Sequence, residues 1–151
     1  MTQATYDDAN LILRLYELRR DEKLRQAREW FTAKCKASSA EELLQLAPAG
    51  SQENAYLRMV ISYWEMACSF VTSGVLNQEL FFQSCGECLF VWERIRALLP
   101  SFRAFTKNPN SWKNLETVGN AYLKWMQANG PEAYAGFQAM VHGAAASAPG
   151  R

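Results

Sequence analysis

The sequence predicts an all-α fold: a compact antiparallel bundle of about five to seven helices, with a long central hairpin formed by about residues 52–73 and 78–99. Three observations carry that expectation. Apolar residues recur at helical spacing along the whole chain, and no run alternates apolar and polar as a half-buried strand does. Residues that start and stop helices stand at the ends of the periodic stretches. A chain of 151 residues that is 49% hydrophobic and 21% charged is long and apolar enough to bury one sizeable core.

The first periodic stretch covers about residues 7–36. Leu11, Leu15 and Leu18 form one stripe, and Leu24, Ala27, Phe31 and Cys35 a second. The stripes do not align on one straight helix, so a kink or a junction of two helices is expected at Arg19-Arg20-Asp21-Glu22-Lys23. Asp21 can cap the second helix, and Asp21 to Arg25 is a favourable i,i+4 pair whether the helix kinks or two helices meet. Ser39-Ala40-Glu41-Glu42 reads as a capping box that opens a short helix ending near Leu46. Pro48-Ala49-Gly50 breaks the chain, and Ser51 caps a long helix closed by Gly74. Leu57, Ile61, Trp64, Cys68 and Val71 give that helix one apolar face, and Met59, Tyr63, Met66 and Phe70 a second. A helix apolar around most of its circumference belongs in the middle of a bundle.

Asn77 caps the next helix, in which Phe81, Cys85, Cys88, Trp92, Ile95 and Leu99 share a face. The link through Val75 and Leu76 is short enough to predict antiparallel packing on the preceding helix. Pro100 is expected to end it. A further helix of about residues 112–128 turns Leu115, Val118, Tyr122 and Trp125 inward, and a last short one carries Tyr134, Phe137 and Val141. Residues 1–142 are thus expected as a single helical domain, and the Ala/Ser/Gly/Pro-rich residues 143–151 as a flexible tail.

Charge excludes some partner classes. Sixteen Lys and Arg against fifteen Asp and Glu leave a net charge of +1, so neither nucleic acid nor a membrane surface is an expected partner. Residues 59–71, interrupted by Glu65, are too few and too polar to span a bilayer. The opening Met1-Thr2-Gln3-Ala4-Thr5-Tyr6-Asp7-Asp8 has no basic and apolar export pattern. A cytoplasmic protein whose four cysteines stay reduced is therefore expected.

Cys85-Gly86-Glu87-Cys88 is the motif closest to known chemistry, because CxxC pairs serve as redox couples or half of a metal site. Its expected position, about two turns into a helix, gives Cys85 little help from the helix dipole. Cys35 and Cys68 would have to complete a zinc set from separate helices. The stronger reading is that small, soft side chains let helices approach closely, with no cofactor and no metal. Glu65, between Trp64 and Met66, is a candidate acid or base, or a carboxylate that faces water or an Arg along the polar stripe of Arg58 and Ser62. Arg14, Arg19, Arg20, Lys23, Arg25 and Arg28 could form a phosphate track, but Glu17, Asp21, Glu22 and Glu29 interleave them, the pattern of a salt-bridged solvent face. The sequence has no Glu-x-x-His pair, no Walker loop and no Gly-rich dinucleotide turn, and its single histidine is His142.

Leu13-Arg14-Leu15-Tyr16-Glu17-Leu18-Arg19-Arg20, then Ala27-Arg28-Glu29-Trp30-Phe31, Tyr63-Trp64-Glu65, Gly74, Trp92 and Asn114-Leu115-Glu116, together resemble an uncharacterised family of bacterial all-helical domains over about residues 10–128. The resemblance implies a helical, cytoplasm-facing domain with no assigned activity, and no functional residue to carry over.

Two functions from different classes follow. The first is a non-enzymatic interaction module that self-associates as a homodimer, since Phe82, Leu89 and Phe90 lie outside the main stripe of their helix. The second is a small-molecule binder or cryptic enzyme with a pocket between the third and fourth helices, lined by Trp64, Cys68, Cys85, Cys88 and Trp92, with Glu65 as a polar anchor.

Overall fold

A computed structural model of the chain describes residues 2–142; the tail expected at 143–151 lies outside the described residues. The described residues form an all-α bundle of nine α-helices and one 3-10 turn.

Helix α1 (Tyr6–Leu18) begins at Thr5, whose hydroxyl accepts from the Asp8 amide while the Asp8 carboxylate accepts from the Thr5 amide. The chain then breaks, and α2 (Glu22–Lys34) starts anew at Asp21. The Asp21 carboxylate accepts from the Leu24 amide at 3.1 Å, so it works as an N-cap and not as an ion-pair partner of Arg25. Leu24, Ala27, Phe31 and Cys35 are buried as the spacing predicts; Leu15 is buried too, whereas Leu18 is exposed beside the break. Helix α3 (Ala40–Leu46) carries the expected Ser39 cap, but the Glu42 carboxylate reaches the Ser38 amide at 2.8 Å, one residue further back than a capping box requires.

Helix α4 (Gln52–Thr72) is the central helix, with α2 packed on one side and α8 (Lys113–Asn129) on the other. Gly74, at φ +80°, closes it: the Val75 amide donates to Phe70 O and the Gly74 amide to Val71 O. These two bonds close a turn that needs a left-handed residue, where glycine carries no Cβ penalty.

The second arm of the expected hairpin differs from the sequence reading. Residues 78–99 are not one helix but α5 (Gln78–Ser84), α6 (Gly86–Ile95), a 3-10 turn (Arg96–Leu98) and the start of α7 (Leu99–Thr106). Cys85, at φ −125° and ψ 54°, lies outside the helical region and separates α5 from α6. The Tyr122 hydroxyl donates to the Phe82 carbonyl, one of those left open by the end of α5. The backbones of α5 and α6 stay further from α4 than those of α2 and α8, and reach it through side-chain contacts such as Trp64 against Phe81 and Cys68 against Cys88. Pro100 does not end a helix. It sits in the first turn of α7, where a missing N–H costs nothing.

Helix α8 packs α6 against α4, and α9 (Pro131–His142) lies over α6 and α8. Phe82 and Leu89 are therefore buried within the chain and Phe90 is half-buried, so the surplus apolar surface expected on the fourth helix is largely covered internally. No described helix is long and apolar enough to cross a membrane.

Candidate functional site

The break between α1 and α2 brings four arginines together. Arg19 and Arg20 stand at the C-terminal end of α1, and Arg25 and Arg28, three residues apart, share a face of α2. With Tyr16 they line a cleft of about 340 Å³. A second cleft of about 480 Å³ adjoins it, sharing Arg25 and Arg28 and adding Glu29, Thr32, Ala33 and Glu87.

Arg28 is anchored from α6. Its Nε donates to Glu87 Oε1 at 2.8 Å and its Nη2 to Oε2 at 2.6 Å, a bidentate fork, while Nη1 donates to the Arg19 carbonyl at 3.3 Å. The hydrogen bond to Glu87 raises the Arg28 pKa above its ordinary value. Arg19 Nη1 lies 3.5 Å from Glu87 Oε2, and its guanidinium carbon sits 5.2 Å from the Tyr16 ring centre and 5.5 Å from that of Trp64. Arg20 lies 5.3 Å from the Tyr16 ring centre. Among the described residues, Arg20 and Arg25 have no carboxylate within 4.0 Å. The cleft thus gathers four guanidinium groups, of which Arg19 and Arg28 share one carboxylate, that of Glu87. Guanidinium groups stay protonated and present only donors, the arrangement that recognises phosphate or carboxylate oxygens.

This corrects the reading of the basic segment as a locally salt-bridged face. Glu17, Asp21, Glu22 and Glu29 form no ion pair within 4.0 Å among the described residues. The carboxylate that Arg19 and Arg28 use is Glu87, from α6.

The family model of a domain of unknown function, DUF4760, matches residues 4–125. The chain belongs to that family. The DUF4760 match takes in all four arginines and Glu87, and ends before α9. No curated protein and no solved structure matches the chain.

The DUF4760 core holds the aromatic residues and thiols singled out from sequence; none of them lines this cleft, although Trp64 packs against Arg19, which does. Trp64, Cys68, Cys85, Cys88 and Trp92 are all buried. The thiols in contact are Cys68 and Cys88, with Sγ atoms 3.4 Å apart, a pair drawn from two helices and not the two cysteines of the CxxC motif. Cys85 is not two turns into a helix, as expected, but at the N-terminal boundary of α6. Burial pushes its thiol up to about 11 and pushes Cys88 well above the ordinary value, so neither is a thiolate at neutral pH. Among the described residues no group of three or more His, Cys, Asp and Glu is placed to hold a metal ion.

Glu65 neither faces open water nor pairs with an Arg. Its Oε1 accepts from the Asn114 amide and side-chain nitrogen, each at 3.0 Å, and its Oε2 accepts from the Leu115 amide at 2.8 Å. It caps the N-terminus of α8, where Trp112 at φ 58° supplies no side-chain cap of its own. Trp92 Nε1 donates to Asn120 Oδ1 at 3.2 Å.

Two buried charges escaped the sequence reading. Glu93 accepts from Gln138 Nε2 at 3.2 Å and Tyr134 Oη at 3.4 Å, and meets His142 Nε2 at 3.1 Å and Arg96 Nε at 3.3 Å. Arg94 Nη1 donates to the carbonyls of Phe31, Thr32 and Cys35 at 2.8–3.1 Å, and its Nη2 to Val141 O at 3.3 Å. Together they tie α9 to α6 and to the C-terminal end of α2. The signal was present: two adjacent charges between Trp92 and Ile95 inside an apolar helix.

Proposed function

We propose that this domain is a ligand-binding module, and that its site is the arginine cleft at the α1–α2 break, taking a small anion. The observation that carries the reading is the convergence of Arg19, Arg20, Arg25 and Arg28 on one cleft, with Arg20 and Arg25 unpaired among the described residues. Unpaired guanidinium groups beside a concave surface attract an anion and offer it forked donors. The reading is one of recognition and not catalysis, because arginine neither gives nor takes a proton near neutral pH.

Calorimetric titration of the full chain with pyrophosphate, at low and at high salt, tests it. Saturable binding that weakens with salt and is lost in Arg20→Ala/Arg25→Ala supports the site. No saturation below ~10 mM at low salt overturns it.

Self-association is the second reading, favoured by the exposed face of α1. Tyr6, Leu13 and Tyr16 fall on one side of that helix and are 91%, 59% and 50% exposed. Native mass spectrometry at tens of micromolar distinguishes it: a dimer that Leu13→Glu dissolves supports self-association along α1, and a monomer removes it.

A further inference from the structure

We propose that Glu87 is a built-in competitor of the arginine cleft, and that it restricts the ligand to phosphoryl dianions. The inference rests on the anion-binding reading above and concerns what that site selects. Glu87 holds Arg28 along its side-on fork, Nε and Nη2, and one of the two N–H groups of Nη1 goes to the Arg19 carbonyl. An anion reaches Arg20 and Arg25 directly, but it takes the Nε/Nη2 fork of Arg28 only by displacing Glu87.

That exchange discriminates among anions. Glu87 is attached to the same chain, so it competes at an effective concentration of millimolar or above. A ligand carboxylate brings the same single charge and the same two oxygens, and gains nothing over the group it must displace. A phosphoryl group brings three acceptor oxygens and close to two negative charges above its second pKa of about 6. It can fork onto Arg28 while its remaining oxygen reaches Arg20 or Arg25. The carboxylate can leave without being stranded, because the Glu87 side chain is 23% exposed and also borders the adjoining cleft.

A role in merely positioning the arginines predicts the opposite response to mutation. If Glu87 only held Arg19 and Arg28 in place, Glu87→Gln would weaken anion binding. If it competes, the same change strengthens binding and relaxes selectivity, since Gln keeps a hydrogen-bonding oxygen but no charge.

The test is a titration of the full chain and of Glu87→Gln at pH 8 with three probes: inorganic phosphate, glycerol phosphate and acetate. The expected result is that the native chain binds at least one phosphorylated probe and not acetate, and that Glu87→Gln binds it about tenfold tighter or more. The phosphate and glycerol phosphate arms tell a free ion from an ester. In parallel, the Nε–H resonance of Arg28 in the native chain should shift with the phosphorylated probe while that of Arg103, paired with Glu116, stays. This second readout needs no variant. Binding by the native chain with equal or weaker binding by Glu87→Gln, or with an unmoved Arg28 resonance, overturns the competitor while leaving the site standing. No binding of either phosphorylated probe by either chain overturns both.

Discussion

The indole of Trp92 lies directly against the backbone of Gly119. A Cβ built on Gly119 would come within 2.3 Å of Trp92 Cγ, closer than any side chain tolerates. That contact lets α6 approach α8, and Trp92 Nε1 is held one residue further on by Asn120. Gly119→Ala should therefore cost about 1–3 kcal/mol by overpacking a filled core. Gly136, on α9, has nothing within 4 Å of its added Cβ. Gly136→Ala should be neutral or stabilise by up to about 1 kcal/mol, since alanine is the better helix former. Chemical denaturation of the two variants beside the native chain checks the pair.

Glu65 replaces the cap that α8 lacks in its own sequence. Glu65→Ala leaves the amides of Asn114 and Leu115 without their acceptor. The expected loss is about 1–2 kcal/mol, with faster hydrogen exchange confined to the first turn of α8. Exchange spread evenly over the bundle would count against a local cap.

Arg94 joins three chain segments through four backbone carbonyls. Arg94→Met keeps much of the apolar stem and strands those carbonyls, at a cost of about 3 kcal/mol or more. The change should raise exchange at the end of α2 and in α9 together. Protection of α9 that survives the substitution would show that apolar packing alone docks it.

The buried thiols make stability fall in alkali. Burial raises Cys85 from 9.0 to about 11 and Cys35 from 9.0 to about 12. Between those values the unfolded chain loses thiol protons that the native chain keeps, so unfolding is favoured as pH rises. The stability these groups contribute is fully present below pH 9 and is lost progressively from there towards pH 11 to 12. The raised hydroxyls of Tyr63 and Tyr122, also pushed up by burial, act in the same direction at higher pH. Urea midpoints measured from pH 8 upward should decline across this window. At pH 8 the native thiols should resist a disulfide reagent at a rate that rises only with unfolding.

Much of the local structure was readable from residue spacing. Asp21, Ser39, Ser51, Asn77 and Gly74 each mark the helix boundary expected of them, because a cap is a contact between residues three or four apart. The break within residues 78–99 was not readable. Cys85 sits in a run with unbroken helical period, and the interruption is supported by Tyr122, a residue of α8 that donates to Phe82 O. Pro100 misled for a related reason: proline both ends helices and opens them, and only the turn before it distinguishes the two.

The candidate sites divide along the same line. Trp64, Cys68, Cys88 and Trp92 were correctly placed on inward faces, and their helical period says nothing about whether those faces enclose a cavity. Glu65 could be placed on a polar stripe, but its partners lie 49 and 50 residues away. The arginines of the α1–α2 break looked neutralised because acidic residues alternate with them in sequence. Among the described residues their acidic neighbours in sequence make no ion pair with them, and Glu87, 59 residues from Arg28, does.

By itself, then, the sequence determined the helices, most of their ends and which faces turn inward, since these follow from interactions within one or two helical turns and from the period of apolar residues. Tertiary structure alone decided which helices flank α4, where the fourth segment breaks, and which charges meet. Those outcomes depend on side chains that finish the open backbone groups or balance the charge of distant segments, as Tyr122, Glu65, Arg94 and Glu87 do. No spacing rule along the chain reports such a partnership.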